Sequence, residues 1–169
     1  SWPAGATPAP WPARCWPAAM FGELAERLAE ERGVRIIVVG NSSAATAVDL
    51  MDAVMTHDYE DLTGALSLAQ LTSLLRRCQL VVSNDSGPVH IAAAIGVPVI
   101  SLFLRVQPGI NLERWRPLGE RSIVIANKKG EEIIVGADSQ VVSGKFDSIS
   151  VTEVFCQAVS LLNSSRPSR

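Results

Sequence analysis

The chain is poor in the residues that staple small proteins or hold metals. Its three cysteines, Cys15, Cys78 and Cys156, are odd in number and stand far apart. They indicate neither a disulfide framework nor a zinc cluster, and a cytosolic setting is the default expectation. No Asp-x-Asp metal motif occurs, and no metal is expected. No apolar run reaches the ~20 residues that cross a bilayer. The start is rich in proline and tryptophan and lacks the basic-then-apolar order of a secretory signal. A net charge of −2 leaves no broad basic footprint, so nucleic acid is not an expected partner.

What remains is an ordinary globular composition. Of 169 residues, 47% are hydrophobic and 19% charged, enough for one domain with a real core. Residues 1–17 read as a loop entering that domain, and 164–169 as a frayed tail. Phe21, Leu24, Ala25 and Leu28 recur at helical spacing, and Gly33 stops the helix. Val34 to Val39 predicts a buried strand. Ser42 or Ser43 is expected to cap a helix running to about Met55. Asp61-Leu62-Thr63-Gly64 predicts a strand end and turn, and Ser67 caps a helix whose inner face is Leu71, Leu74 and Leu75. Ser122 to Ala126 predicts another strand, residues 127–150 have no clear assignment, and Thr152 caps a last helix through Leu162. Near-continuous apolar strands alternating with helices predict a parallel sheet covered on both faces, an α/β Rossmann-like fold. Ligands of such sheets sit at the carboxyl ends of the strands, where the turns at 40–43, 63–65 and 83–88 fall.

The densest information lies between residues 80 and 103. The apolar run Leu80 to Val82 ends in a small polar turn, an alanine-rich helix follows, and a second apolar run closes the unit. Asp85 or Ser86 can cap the helix, Gly87 lets backbone approach a ligand, and Pro88 presets φ for the first turn. The N–H groups of such a turn, backed by the helix dipole, suit an anion such as a nucleotide diphosphate.

The run Asn84-Asp85-Ser86-Gly87-Pro88-x-His90-x-Ala92-Ala93-Ala94-x-Gly96-x-Pro98, leading into Leu102-Phe103, resembles the signature of the family 9 glycosyltransferases. These are the ADP-heptose:lipopolysaccharide heptosyltransferases and their relatives. Pro3-Ala4-Gly5-Ala6, Arg14-Cys15-Trp16-Pro17, Asp61-Leu62-Thr63-Gly64 and Trp115-Arg116-Pro117 resemble further family blocks, in the family's order. The resemblance implies the carboxyl-terminal, donor-binding half of a two-domain GT-B fold. The amino-terminal acceptor domain, with its proposed aspartate base, is not in these residues, so no catalytic residue is expected here. Three departures stand out: Leu104-Arg105 where a glycine is common, a stretched Pro-Gly-Ala turn with Pro8, Pro10, Trp11 and Pro12 inserted, and the absence of the domain's first strand. In the order 3-2-1-4-5-6 that strand is central. The strands at 34–39 and 80–83 then lose their shared neighbour, and a preceding segment is expected to complete the sheet.

Donor-site candidates follow from the motif positions, each beside a plainer reading. Ser86, Gly87 and the N–H groups of Val89 and His90 hold the diphosphate, or merely cap a helix. Arg14 supplies a bidentate cation, or is an exposed arginine at a helix start. Asp85 hydrogen-bonds sugar hydroxyls, or is a capping carboxylate. His90 is expected neutral in the first turn and, on its plainer reading, hydrogen-bonds within the core. Thr63 and Gly64 approach the nucleotide, or form a tight turn. Trp115 and Pro117 wall a base pocket, or pack a loop. The implied activity is inverting transfer of a heptose or related sugar from an ADP-heptose-like donor to a lipid-linked lipopolysaccharide core acceptor. It needs no cofactor and is incomplete in this chain alone, in a protein of the cytoplasm or the inner-membrane surface. The alternative is a non-catalytic nucleotide- or phosphosugar-binding module.

Overall fold

Amphipathic helices and apolar strands bury their hydrophobic sides by stacking in layers. The computed structural model describes residues 15–103, 116–128, 131–135, 141–144 and 149–164 in such an arrangement. Helix α1 (Ala18–Arg32) turns Leu24, Ala25 and Leu28 inward. It ends at Gly33, whose φ of 63° and N–H bond to the Ala29 carbonyl make a left-handed cap. Strand β1 (Ile36–Val38) is shorter than the expected 34–39 strand and only half-buried. A 3-10 turn (Ser42–Ala44) follows, then α2 (Ala45–Asp52). The expected serine cap is not formed: the cap position is Ala44, with no side-chain bond. The preceding 3-10 turn shifts the helix start beyond the serines.

Strand β2 (Tyr59–Asp61) pairs parallel with β1 and ends in a turn where Gly64 takes φ 72°. Helix α3 (Leu68–Leu75) starts in a capping box: Ser67 accepts from the Gln70 N–H and Gln70 reaches back to the Ser67 N–H. Strand β3 (Val81–Asn84), helix α4 (Gly87–Ala94) and strand β4 (Val99–Phe103) follow, then β5 (Ser122–Lys128). β3, β4 and β5 are parallel. β6 (Glu131–Val135) and β7 (Val141–Gly144) add antiparallel strands where sequence gave no assignment. The sheet is therefore mixed, in the order β3-β4-β5-β6-β7, and β1-β2 forms a separate pair. Helix α5 (Val151–Ser164) closes the described chain.

Helices cover both sheet faces, as the apolar strands require. On one face Ile100, Leu102 and Ile125 meet Trp16, Leu24 and Leu28 from α1 and Val154, Ala158 and Leu161 from α5. On the other, Val99 meets Leu75, Val89, Ala92 and Ala93. The small residues Ala92 and Ala93 let α4 sit closely on the sheet, while Ala94 points to solvent. Arg27 stacks over Phe155 at 4.0 Å and joins α1 to α5. No helix among the described residues is long and apolar enough to cross a membrane.

Candidate functional site

A strand that runs directly into a helix points the helix's unsatisfied N–H groups past the strand's carboxyl end. β3 and α4 make this junction through Asp85 and Ser86 alone. Ser86 is the cap residue, extended at φ −152° and ψ 162°, yet its hydroxyl makes no capping bond. It sits 3.0 Å from the Ser83 hydroxyl instead, which holds it against the strand end. The Asp85 N–H donates to the Leu102 carbonyl at 3.1 Å, continuing the β3–β4 ladder into the junction. Gly87 is exposed, and a Cβ built on it meets nothing within 4 Å. Pro88 has no N–H, and the Val89 N–H donates to the Ser86 carbonyl at 3.2 Å. The junction thus presents bare backbone, chiefly at Gly87, to the open side of the sheet edge.

His90 is not in the core. Its side chain is 40% exposed and its Nε2 lies 3.5 Å from an oxygen of Asp85, whose carboxylate is 9% exposed. At α4's first turn the two side chains face each other beside the exposed glycine. Val89 is wholly buried beneath the helix, and its N–H is engaged by the Ser86 carbonyl.

A second ledge stands at the carboxyl ends of β1 and β2. The Gly64 N–H donates to the Gly40 carbonyl at 2.8 Å and the Leu62 N–H to the Val38 carbonyl at 2.9 Å, so the two turns are stitched together. Asp61 accepts from the Thr63 N–H at 2.8 Å. The Thr63 hydroxyl is buried beside the Asp61 carboxylate, and together with the Thr63 N–H it holds that carboxyl below the usual carboxylate range.

The structure thus brings Asp85, Ser86, Gly87, Val89 and His90 together at one helix start, and Thr63 and Gly64 together on a different sheet. Arg14 lies outside the described residues, as do Pro3, Leu104, Arg105 and Trp115; Pro117 is buried. Sequence reasoning missed Asn84 and the role of Trp16. Trp16 is 2% exposed, its N–H donates to the Asn84 Oδ1 at 2.9 Å and its indole donates to the Ile149 carbonyl at 2.8 Å. One residue thereby ties the entry to α1, the end of β3 and the start of α5. The only signal in the sequence was that Trp16 and Asn84 both fall inside motif blocks. A shallow surface hollow lined by Arg35, Asp58, Tyr59 and Glu60 begins where β1 and β2 begin, at the opposite sheet edge. Among the described residues no group of three or more His, Cys, Asp and Glu side chains is placed to hold a metal ion.

The chain is similar to known proteins in sequence and in fold. Residues 5–140 match the family model for glycosyltransferase family 9 (heptosyltransferase). Lipopolysaccharide heptosyltransferase 2 of Escherichia coli K12 is 31% identical over 96 residues, 54% of this chain and 27% of that protein. Lipooligosaccharide heptosyltransferase 2 of Haemophilus influenzae Rd is 29% identical over 128 residues, 73% of this chain and 36% of that protein. Among solved structures, the E. coli ADP-heptose lps heptosyltransferase II superposes at TM-score 0.71 with 26% identity, over 90% of this chain and 43% of that one. A family 9 glycosyltransferase from Veillonella parvula DSM 2008 superposes at TM-score 0.70 with 23% identity, over 92% and 44%. The chain therefore spans less than half the length of these relatives. Motif, α/β architecture and family match agree: the chain belongs to glycosyltransferase family 9.

Proposed function

We propose that this chain is the carboxyl-terminal, donor-binding half of an inverting glycosyltransferase with the GT-B arrangement. It would bind a nucleoside-diphosphate sugar of the ADP-heptose type for transfer to a lipid-linked lipopolysaccharide core acceptor at a membrane surface. The observation that carries the reading is the β3–α4 junction, with its extended Ser86, open Gly87 and first-turn N–H groups. The acceptor and the catalytic base belong to polypeptide outside these residues, so this chain supplies donor binding and leaving-group stabilisation alone.

In that reading the diphosphate rests on the Ser86 and Gly87 backbone. The Val89 N–H joins by giving up its 3.2 Å bond to Ser86. Asp85 receives sugar hydroxyls, and His90 holds Asp85 in place from 3.5 Å. Thr63 and Gly64 offer a hydroxyl and bare backbone to the nucleoside side. As the glycosidic bond breaks, the leaving nucleoside diphosphate gains negative charge, which preorganised donors stabilise. A helix terminus contributes only ~0.3–2 kcal/mol to an anion, whereas millimolar affinity needs about −4 kcal/mol, so a cation must assist. Arg14 is the proposed cation, two residues before Trp16, whose N–H is tied to Asn84.

Calorimetric titration of the chain with ADP, UDP, GDP and glucose 6-phosphate tests this. The reading predicts binding of a nucleoside diphosphate, weakened in Arg14→Ala. Binding of glucose 6-phosphate alone, or binding unaffected by Arg14→Ala, contradicts it.

A further inference from the structure

A buried hydroxyl is costly unless its proton finds an acceptor. Ser101, in β4, is 1% exposed, and its hydroxyl has no hydrogen-bond partner among the described residues. Its surroundings follow from the register. Side chains two residues apart share a sheet face, and Val81 and Val99 both pack in the cluster that α4 builds with Val89, Ala92 and Ala93. Ser83 and Ser101 stand two residues further along the same strands. They therefore lie on that face too, and they are direct register partners. Neighbouring strands run ~4.8 Å apart, close enough for a Ser101 hydroxyl turned toward Ser83 to bond it. The Ser83 hydroxyl in turn lies 3.0 Å from that of Ser86, which makes no capping bond. The hydroxyls of Ser101, Ser83 and Ser86 thus form a row from the buried sheet to the open start of α4.

We infer that Ser101 is a positioning residue for the donor site, acting through Ser83 to aim the Ser86 hydroxyl proton outward at a phosphate oxygen. The inference rests on the β3–α4 junction being the diphosphate site. The protons set the direction. If Ser86 donated inward to Ser83, its proton would be spent on the strand and its lone pairs would meet the incoming anion. With Ser83 donating onward, the Ser101 proton would be left unpaired in apolar surroundings. In the outward direction Ser101 donates to Ser83, Ser83 to Ser86 and Ser86 to the phosphate, so every proton has an acceptor. Each bond in such a chain polarises the next. No covalent bond changes, and each hydroxyl keeps its own proton.

Ser122 supplies the control. It is 5% exposed and its hydroxyl also lacks a partner among the described residues. It pairs with Val99, on the side of Ser101 away from the junction, and stands beside Gly119.

The test is calorimetric titration with ADP, with melting temperatures on the same preparations. The proteins are the wild-type chain, Ser101→Ala, Ser101→Cys, Ser122→Ala, Ser86→Ala and the Ser86→Ala/Ser101→Ala double variant. Cysteine nearly keeps the size of serine and is a much weaker donor, so it serves where alanine opens a void. Both Ser101 variants should weaken ADP binding about three- to tenfold, with the melting temperature held or raised, while Ser122→Ala leaves affinity unchanged. In the Ser86→Ala background, Ser101→Ala should cost nothing further, because its effect passes through the Ser86 hydroxyl. Unchanged affinity in the Ser101 variants, with binding weakened in Ser86→Ala, overturns the relay and leaves the donor site standing. Additive losses in the double variant, or an equal loss in Ser122→Ala, overturn it by assigning the effect to packing. Absence of ADP binding by the wild-type chain, or binding indifferent to Ser86→Ala, overturns the relay and the donor site together.

Discussion

Replacing Gly87 with alanine should move stability and ligand affinity in opposite directions. A methyl group built there meets nothing within 4 Å, and Gly87 is not among the glycines with positive φ. Alanine at a compatible glycine position stabilises by roughly 0.4–1 kcal/mol, because the unfolded chain loses freedom. In a domain of this size that raises Tm by about 1–4 °C. The same methyl group occupies the space through which a diphosphate oxygen would approach the backbone. Losing a helix-terminus contact of ~0.3–2 kcal/mol weakens binding by about 2- to 30-fold. Thermal melting and ADP titration on the same preparation read both effects. A higher Tm with unchanged affinity would refute the placement of the diphosphate at Gly87. A lower Tm would refute the account of open space around it.

Thr63→Val removes the hydroxyl that helps hold the Asp61 carboxyl below its usual range and that is proposed to meet the nucleotide, so nucleotide affinity should fall; equal affinity removes Thr63 from the site. Glu26 accepts hydrogen bonds from the Thr56 hydroxyl, the His57 and Thr56 N–H groups and the His57 ring, which lower its pKa from 4.5 to about 2. A lowered carboxylate pKa stabilises the fold above the unfolded value and loses that contribution as pH falls through the folded one. Glu26→Gln should therefore flatten the stability slope between about pH 4.5 and about pH 2, read from urea midpoints across that window. Trp16→Phe leaves the Ile149 carbonyl without its 2.8 Å donor and should cost ~1–3 kcal/mol in urea unfolding. Ala92→Leu, at a position with no exposure, should overpack the α4–sheet contact by ~1–3 kcal/mol, checked the same way.

Much of this was legible in the sequence because the signals are local. The Ser67 capping box, the Gly33 cap and the strand–turn–helix unit at 80–103 each depend on residues a few positions apart. What was not legible depends on distant partners. Trp16 finds Ile149 across 133 positions and Asn84 across 68, and no window of sequence contains either pair. The antiparallel strands β6 and β7 come from a charged, glycine- and serine-rich stretch whose pairing supplies the regularity that its composition hides. Ser42 and Ser43 looked like caps, but the backbone spends them on a 3-10 turn before α2 begins. His90 looked like a core histidine because α4 is apolar; its place on the helix turns it outward toward Asp85.

The most direct test of the central claim, that the β3–α4 junction binds the donor diphosphate, is amide chemical-shift mapping of the labelled chain during ADP titration. The account predicts that Ser86, Gly87 and Val89 shift first and furthest, with Thr63 and Gly64 following. Shifts confined to the opposite sheet edge around Arg35 and Glu60, or none at the junction under saturating ADP, would contradict it.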